Sequence, residues 1–376
     1  MTTWHSVPLG KVVTFQRGYD LPHRVRKQGG VPIVSSAGVT DYHDVPMVNP
    51  PGVVTGRYGT IGEIFLVTEP FWPLNTTLYV RDFHGNDECF VYYLLHRFDF
   101  HSFSGKSGVP GVNRNDLHVV SVSLPKDIVE QHAIAVALSD VDALLGGLDR
   151  LIAKKRDLKQ AAMQQLVTGQ TRLPGFSGEW EVKAIGEHID LLTGFPFSSI
   201  MYSEHGVRLL RGSNVKRGET DWSDDLVQCW PRVTSDITKY ELQPGDLVVA
   251  MDGSLVGRSY ARLKPSDLPA LLLQRVARIR SKTIDIGFLC QFVGSDHFIK
   301  YCDSVKTVTA IPHISASDIR SYRISIPPTL AEQSAIAAVL SDMDAELSKL
   351  VERRDKTSNL KQAMMQELLT GRIRLV

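Results

Sequence analysis

The chain carries one segment twice. Residues 130–173 begin Glu130-Gln131-His132-Ala133-Ile134-Ala135 and close Leu166-Val167-Thr168-Gly169-Gln170-Thr171-Arg172-Leu173. Residues 332–375 begin Glu332-Gln333-Ser334-Ala335-Ile336-Ala337 and close Leu368-Leu369-Thr370-Gly371-Arg372-Ile373-Arg374-Leu375. The offset is 202 throughout, without a gap, and 24 of the 44 aligned positions are identical. A fold for this chain must therefore house one stretch in two matching environments. Ile134, Leu138, Val141, Leu145 and Leu148 are spaced 4, 3, 4, 3, and Ile336, Leu340, Met343, Leu347 and Leu350 repeat that spacing. Such a rhythm lays an apolar stripe along one helix face at heptad spacing. A second stretch runs through Leu158, Ala162, Met163 and Leu166, matched by Leu360, Met364, Met365 and Leu368. No proline interrupts either run. The spacing predicts a helix over residues 130–168, roughly 58 Å long at about 1.5 Å per residue. Gly146-Gly147 weakens the first copy locally, but Ser348-Lys349 stands there in the second. Thr168-Gly169 and Thr370-Gly371 supply a glycine stop at each end.

Each repeat follows a longer and far more divergent segment. Trp4, Gly10 and Gly18-Tyr19 correspond to Trp180, Gly186 and Gly194-Phe195 at an offset of 176. Further on, Gly59-Thr60-Ile61-Gly62 resembles Gly253-Ser254-Leu255-Val256-Gly257, and Val109-Pro110 and Asp116-Leu117 match Ile311-Pro312 and Asp318-Ile319 at an offset of 202. The second copy has thus gained 26 residues, with the polar stretch 217–232 as one expected site of the gain. These segments read as mixed α/β. Val53-Val54-Thr55, Ile64–Val67, Leu247–Ala250 and Val276–Ile279 are strand-like runs, while Phe90–Arg97 and Phe288–Val293 are short helix candidates. Pro174-Gly175-Phe176-Ser177-Gly178 is the expected linker between modules.

A length of 376 residues suits two or more domains with substantial cores. No stretch approaches the roughly 18–20 apolar residues of a membrane span, and Met1-Thr2-Thr3-Trp4-His5 has no export pattern. Cys89, Cys229, Cys290 and Cys302 lack CxxC spacing and read as free thiols of a reducing, cytoplasmic setting. The net charge of +1 tells against a simple non-specific nucleic-acid binder but leaves room for a local basic face.

The order of variable domain, long helix, variable domain, long helix resembles the specificity subunits of type I DNA restriction-modification systems. The matching features are Trp4 through Gly10, the turn at Gly59–Gly62, Ser107-Gly108-Val109-Pro110 before Asn113, and the Leu124-Pro125 … Glu130-Gln131 entry to the helix. Leu158-Lys159-Gln160 … Leu166-Val167-Thr168-Gly169 marks its exit; Ile326-Pro327 … Glu332-Gln333 and Leu360-Lys361-Gln362 … Leu368-Leu369-Thr370-Gly371 repeat both. Ser107-Gly108 has no clear counterpart before Ile311-Pro312. The resemblance implies two α/β target-recognition domains, 1–126 and 171–328, separated by helical spacers 127–170 and 329–376. The helices would pack as an antiparallel coiled coil with pseudo-two-fold symmetry. Each domain would read one half of a split DNA site, asymmetric because the domains differ. The helices would dock two adenine-methyltransferase subunits and, through that complex, the restriction subunits. The chain itself would be non-catalytic and need no cofactor, with S-adenosylmethionine on the methyltransferase and ATP and Mg on the restriction subunit. The alternative from another class is a duplicated coiled-coil scaffold that binds protein without DNA specificity.

Sequence readout takes Arg, Lys, Asn or Gln at base edges, with phosphate contacts fixing the register. In the first domain the candidates are Arg17 and Tyr19 beside Gly18, Arg57 and Tyr58 before the Gly59 turn, and Lys106 with Ser107 in a glycine-rich loop. Asn113 joins them, with Asn75 and Thr76 as lesser choices. In the second they are Arg211, Ser213, Asn214, Lys216 and Arg217 after an expected strand, then Arg258, Lys306 and His313. Taken singly, each also fits a solvated surface side chain; the expectation is that several in each domain touch DNA. The cluster Arg24-Val25-Arg26-Lys27 suits phosphate contact and plain solubility equally. Asn49-Pro50-Pro51-Gly52 resembles the Asn-Pro-Pro-aromatic motif of adenine methyltransferases, but the aromatic that would stack a flipped base is Gly52. Gly105-Lys106-Ser107 lacks the first glycine of a phosphate loop, since Phe100 stands there. The twelve histidines form no HExxH and no cysteine-paired spacing, so metal binding is not expected.

Overall fold

The computed structural model describes residues 4–103 and 111–375. The chain folds as two compact units, one of residues 1–151 with 351–376 and one of residues 152–350. In the first, strands β1 (Trp4–Pro8), β2 (Thr14–Arg17), β3 (Val31–Ser35), β4 (Gly38–His43), β5 (Gly52–Gly56), β6 (Ile64–Val67), β7 (Trp72–Pro73), β8 (Thr77–Asp82) and β9 (Ser121–Pro125) accompany α1 (Glu88–Leu95), α2 (Arg114–His118) and the start of α3 (Ile128–Val167). One sheet has the order β2-β8-β5-β6, a second β4-β3-β7, and β1 pairs with β9 from Trp4 opposite Pro125 to Pro8 opposite Ser121. The apolar run of β5 is covered on both faces. Val53 joins Phe15, Leu78, Val80 and Phe90 on one side, and Val54 joins Val34, Phe71 and Tyr79 on the other. That alternation is the period-2 geometry of a strand.

The second unit repeats the scheme with β10 (Glu181–Ala184), β11 (Ile189–Thr193), β12 (Val207–Leu210), β13 (Arg217–Gly218), β14 (Cys229–Trp230), β15 (Leu247–Ala250), β16 (Tyr260–Arg262), β17 (Ala270–Leu272), β18 (Val276–Ser281) and β19 (Arg323–Ile326). Its helices are α4 (Ile286–Val293), α5 (Asp296–Val305), α6 (Ala316–Ser321) and the start of α7 (Leu330–Leu368). The sheet orders are β11-β18-β15-β16-β13, β14-β12-β17 and β10-β19. Along β15, Leu247 and Val249 face the larger core while Val248 and Ala250 face the smaller one. Matched carboxylates open the short helices: Asp87 accepts from Phe90 N at 2.8 Å and Asp285 from Phe288 N at 2.9 Å. Part of the expected insertion lies between β12 and β14, where residues 211–228 stand against residues 36–37 between β3 and β4. That stretch includes β13, an edge strand parallel to β16.

Both long helices are unbroken, α3 passing through Gly146-Gly147 without interruption. Their first apolar turns dock into globular cores. Ile134, Ala135 and Leu138 pack with Phe90, Leu94 and Leu117, together with Leu368 and Leu369 from the end of α7. Ile336, Ala337 and Leu340 pack with Phe288 and Phe292, together with Leu166 and Val167 from the end of α3. Polar pairs flank the stripe: Lys361–Asp142 at 2.6 Å and Arg354–Asp149 at 3.2 Å in the first unit, Lys155–Glu346 at 2.7 Å and Lys159–Asp344 at 2.5 Å in the second.

The duplicated Glu-Gln and Arg-Leu motifs meet at the helix starts. Glu130 is fully buried and is gripped by both Nε and Nη2 of Arg374, with the Trp4 indole donating at 3.2 Å. Glu332, 1% exposed, accepts from Arg172 Nε at 2.8 Å and Nη2 at 2.6 Å. Bidentate guanidinium bonds let a carboxylate remain charged in the interior. Gln131 Nε2 donates to Pro125 O at 2.9 Å, and Gln333 Nε2 to Pro327 O at 3.1 Å. Gly169 and Gly371 end the helices at φ 72° and 74°, and a Cβ there would press against Trp180 and Trp4. Among the described residues no helix is long and apolar enough to cross a membrane.

Candidate nucleic-acid interface

In the first unit three loops converge. Gly18 runs so close to the β7–β8 turn that a Cβ would lie 2.1 Å from Leu74 O, and Tyr19 N donates to Pro73 O at 2.8 Å. Arg57 N donates to Thr76 O at 2.8 Å, and Val112 N to Arg57 O at 2.9 Å. Gly111 passes under the Tyr58 ring, where a Cβ would meet it at 2.3 Å. The result is a cavity of about 570 Å³ whose rim carries Gln16, Arg17, Arg57, Tyr58, Asn113 and Arg114, with no carboxylate in its lining among the described residues. Arg57 stacks over Tyr58 at 4.4 Å, a contact that holds the guanidinium without neutralising it. Arg17 pairs with Asp20 at 3.1 Å across exposed side chains, an interaction easily exchanged for a phosphate. Asn113 caps α2 by accepting from Asn115 N at 3.0 Å. Tyr19 is bonded to Tyr79 at 2.9 Å; burial, and then that bond, push the Tyr79 hydroxyl far above its ordinary range. Lys106 and Ser107 lie outside the described residues.

The second unit uses the same crossings with different side chains. Gly194 approaches Leu273 O as Gly18 approaches Leu74 O, and Gly253 N donates to Pro312 O at 3.0 Å. The cavity here is about 430 Å³ and is lined by Ser213, Lys216, Asp252, Ser254, Gln274 and Arg275 among others. Lys216 pairs with Asp221 at 3.5 Å. Arg211 and Asn214 shape the loop from within: Arg211 donates to Leu226 O, while the fully buried Asn214 accepts from Arg211 N at 3.2 Å and donates to Asp221 O at 2.9 Å. Arg217, on β13, lines a different cavity of about 900 Å³ with Lys159, Tyr260, Arg262, Lys264 and Asp344. Arg258 and Lys306 converge on Asp303 at 3.0 and 2.6 Å, and Lys306, then Arg258, hold its carboxyl below the usual range. His313 Nδ1 shares a hydrogen bond with Thr307 Oγ1 at 2.9 Å.

The fold therefore gathers Arg17, Arg57, Tyr58 and Asn113 around one cavity and Ser213 with Lys216 around another. It places Tyr19, Arg211 and Asn214 in internal bonds, ties Arg258 and Lys306 to Asp303, and sends Arg217 elsewhere. Sequence reasoning passed over Arg114, Gln274 and Arg275. The last two sit between the apolar run Ala270–Leu273 and the strand-like run Val276–Ile279, and two polar residues between such runs mark a tight turn.

A family model for the type I restriction modification DNA specificity domain matches residues 1–153 and 178–357. The specificity subunit of the type I restriction enzyme MjaVIII of Methanocaldococcus jannaschii is 27% identical over 337 residues, 84% of this chain and 77% of that one. The EcoAI specificity subunit of Escherichia coli is 32% identical over 175 residues, 46% of this chain and 29% of that one. The crystal structure of a type I restriction-modification S subunit from M. genitalium superposes with a TM-score of 0.69 at 14% identity, covering 98% of this chain and 96% of that one. A chain from a structural study of complex assembly and conformational transition in the type I system gives 0.52 at 17% identity, over 97% of each chain. The role these relatives are named for is specificity and not catalysis. With both modules matched by one family model, the chain belongs to the family of type I restriction-modification DNA specificity proteins.

Proposed function

We propose that the chain is the DNA-recognition subunit of a type I restriction-modification complex. Domains 1–126 and 171–328 each read one half of a split, asymmetric site. Segments 127–170 and 329–376 pair as an antiparallel, pseudo-two-fold coiled coil that sets the unread gap and docks two adenine-methyltransferase subunits. The restriction subunits join through that complex; S-adenosylmethionine, ATP and Mg belong to those partners. The observation that carries this reading is the cavity of the first unit, where Arg17, Arg57 and Arg114 gather with no carboxylate in the lining among the described residues. Arginine clusters of that kind suit phosphates and guanine edges. Residue pairing along the helices supports the antiparallel arrangement: 142 goes with 361 and 149 with 354, then 155 with 346 and 159 with 344.

Methylome sequencing of cells expressing the chain with its methyltransferase tests the reading. A split motif carrying N6-methyladenine on both strands is expected, and replacing residues 1–126 changes one half-site only. An active complex without any split motif sinks the assignment in favour of a scaffold role.

A further inference from the structure

The tight turn between β17 and β18, which belong to different sheets, is closed by Val276 N donating to Leu273 O at 3.2 Å and carries Gln274 and Arg275 at its tip, with Arg275 at φ 70°. Left-handed backbone is unfavourable for a residue with a Cβ and ordinary for glycine. The conformation is firmly held: Met251 N donates to Arg275 O at 2.8 Å, and Gln274 N to Phe195 O at 2.9 Å. Leu273 and Val276 on either side are buried, while Gln274 and Arg275 are exposed. No hydrogen bond or ion pair engages the Arg275 guanidinium among the described residues. The fold thus keeps an arginine where glycine would fit better, and its side chain gains no hydrogen bond or ion pair among the described residues. Strain retained without a structural return is found at functional positions. The corresponding tip of the first unit, Asn75-Thr76, has no positive φ, and Asn75 is engaged with Asp20.

We propose that Arg275 reads a guanine in the half-site of the second unit, with Gln274 at the same or the adjacent base pair. This deepens the functional reading above and rests on it. A guanidinium donates two parallel bonds to guanine O6 and N7, the commonest specific contact in the major groove. Arg275 shares its cavity with Asp252. That carboxylate repels a phosphate but accepts from the N4 amino group of cytosine, so the two charges match the edge of a G·C pair. Lys216, Ser213 and Ser254 on the same rim supply donors for the flanking backbone.

The test uses the full complex with its methyltransferase, comparing wild type, Arg275→Gly and Arg275→Asn by methylome sequencing and by DNA binding across a salt series. Glycine relieves the backbone, so the melting temperature of Arg275→Gly holds or rises. Its motif should lose guanine preference at one position of one half-site, with discrimination there falling roughly tenfold to hundredfold. The other half-site and the gap stay unchanged. Asparagine also tolerates left-handed backbone and should lose the guanine at the same position. An unchanged motif in both folded variants overturns the proposal while leaving the functional reading intact. A loss uniform across all sequences, with the salt slope reduced by about 1, makes Arg275 a phosphate contact and also overturns it. A wild-type complex that marks no split motif sinks both.

Discussion

The two units keep the same skeleton and differ at its rims. In each, a buried glutamate at a helix start is closed by an arginine that follows the other helix, and a buried glutamine fastens the preceding strand. Each carries a strand with cores on both faces. At the rims the first unit lines its cavity with three arginines and no carboxylate among the described residues, whereas the second mixes Lys216 and Arg275 with Asp252. The second also adds β13. The repeated interior fixes where loops emerge, and the loops are then free to vary in charge and length. A chain built this way can present two different chemistries from one frame.

That comparison can be broken most sharply at the frame. Arg172→Ala strands the Glu332 carboxylate and should destabilise the second unit by about 3–5 kcal/mol. Arg374→Ala should do less harm to the first unit, because Glu130 keeps the Trp4 indole as a donor, while the Trp180 indole finds no hydrogen-bond partner among the described residues. Denaturant midpoints with hydrogen exchange resolved by unit measure both; equal losses would remove the asymmetry. At the rim, Arg57→Ala should cost about 1–3 kcal/mol of discrimination in one half-site and nothing in the other. Binding of the complex to DNA duplexes altered in each half decides this, and an equal loss for both halves contradicts it.

The smallest expected effect concerns acid. His118 Nε2 accepts from Phe15 N at 3.0 Å, which requires a neutral ring, and burial, then Arg114 and His84, push its pKa down. Burial, followed by Lys361, pushes His96 down as well. A lowered histidine pKa means that the unfolded chain binds the proton first. Stability from these rings is therefore complete above roughly pH 6.5 and is lost as pH falls toward the folded values. The second unit has Arg320 in place of a histidine at the position of His118, where it donates to Leu191 O at 3.2 Å. Melting followed between about pH 7.5 and 5 should show the first unit weakening more, and His118→Gln should flatten that decline. Parallel declines in both units would show that the histidines are not the cause.

Much of the frame was legible in the sequence because it rests on periodicity. The 4-3 spacing of Ile134 to Leu148 gave helix α3, and the β-branched run at Val53-Val54-Thr55 gave β5. What Glu130 and Arg374 do for each other was not legible, since 244 residues separate them and no local pattern links them. The rims were read in part. Arg57 and Tyr58 stood out beside Gly59, a position that local turn chemistry reveals. Arg211 and Asn214 looked just as exposed, yet Asn214 is consumed in shaping its own loop. Composition cannot distinguish a polar side chain that holds a loop from one that the loop displays. Arg275 escaped notice because its distinguishing property is a backbone angle.

The arginine closures also set an order of events during synthesis. The second unit is a continuous stretch, 152–350, whereas the first needs residues 351–376 to finish. Domains commonly complete from the N-terminus as they leave the ribosome, at about 5–20 residues per second. Here the earliest-made residues wait, for on the order of 10–40 s at that rate, until Leu368, Leu369 and Arg374 emerge. During that interval the only helix exit in existence is Leu166–Leu173, whose Leu, Arg and Leu match those of Leu368–Leu375. Arg172 is no substitute, because Glu130 and Arg172 lie at opposite ends of unbroken α3, about 58 Å apart, so the Glu130 closure waits for Arg374 to be made.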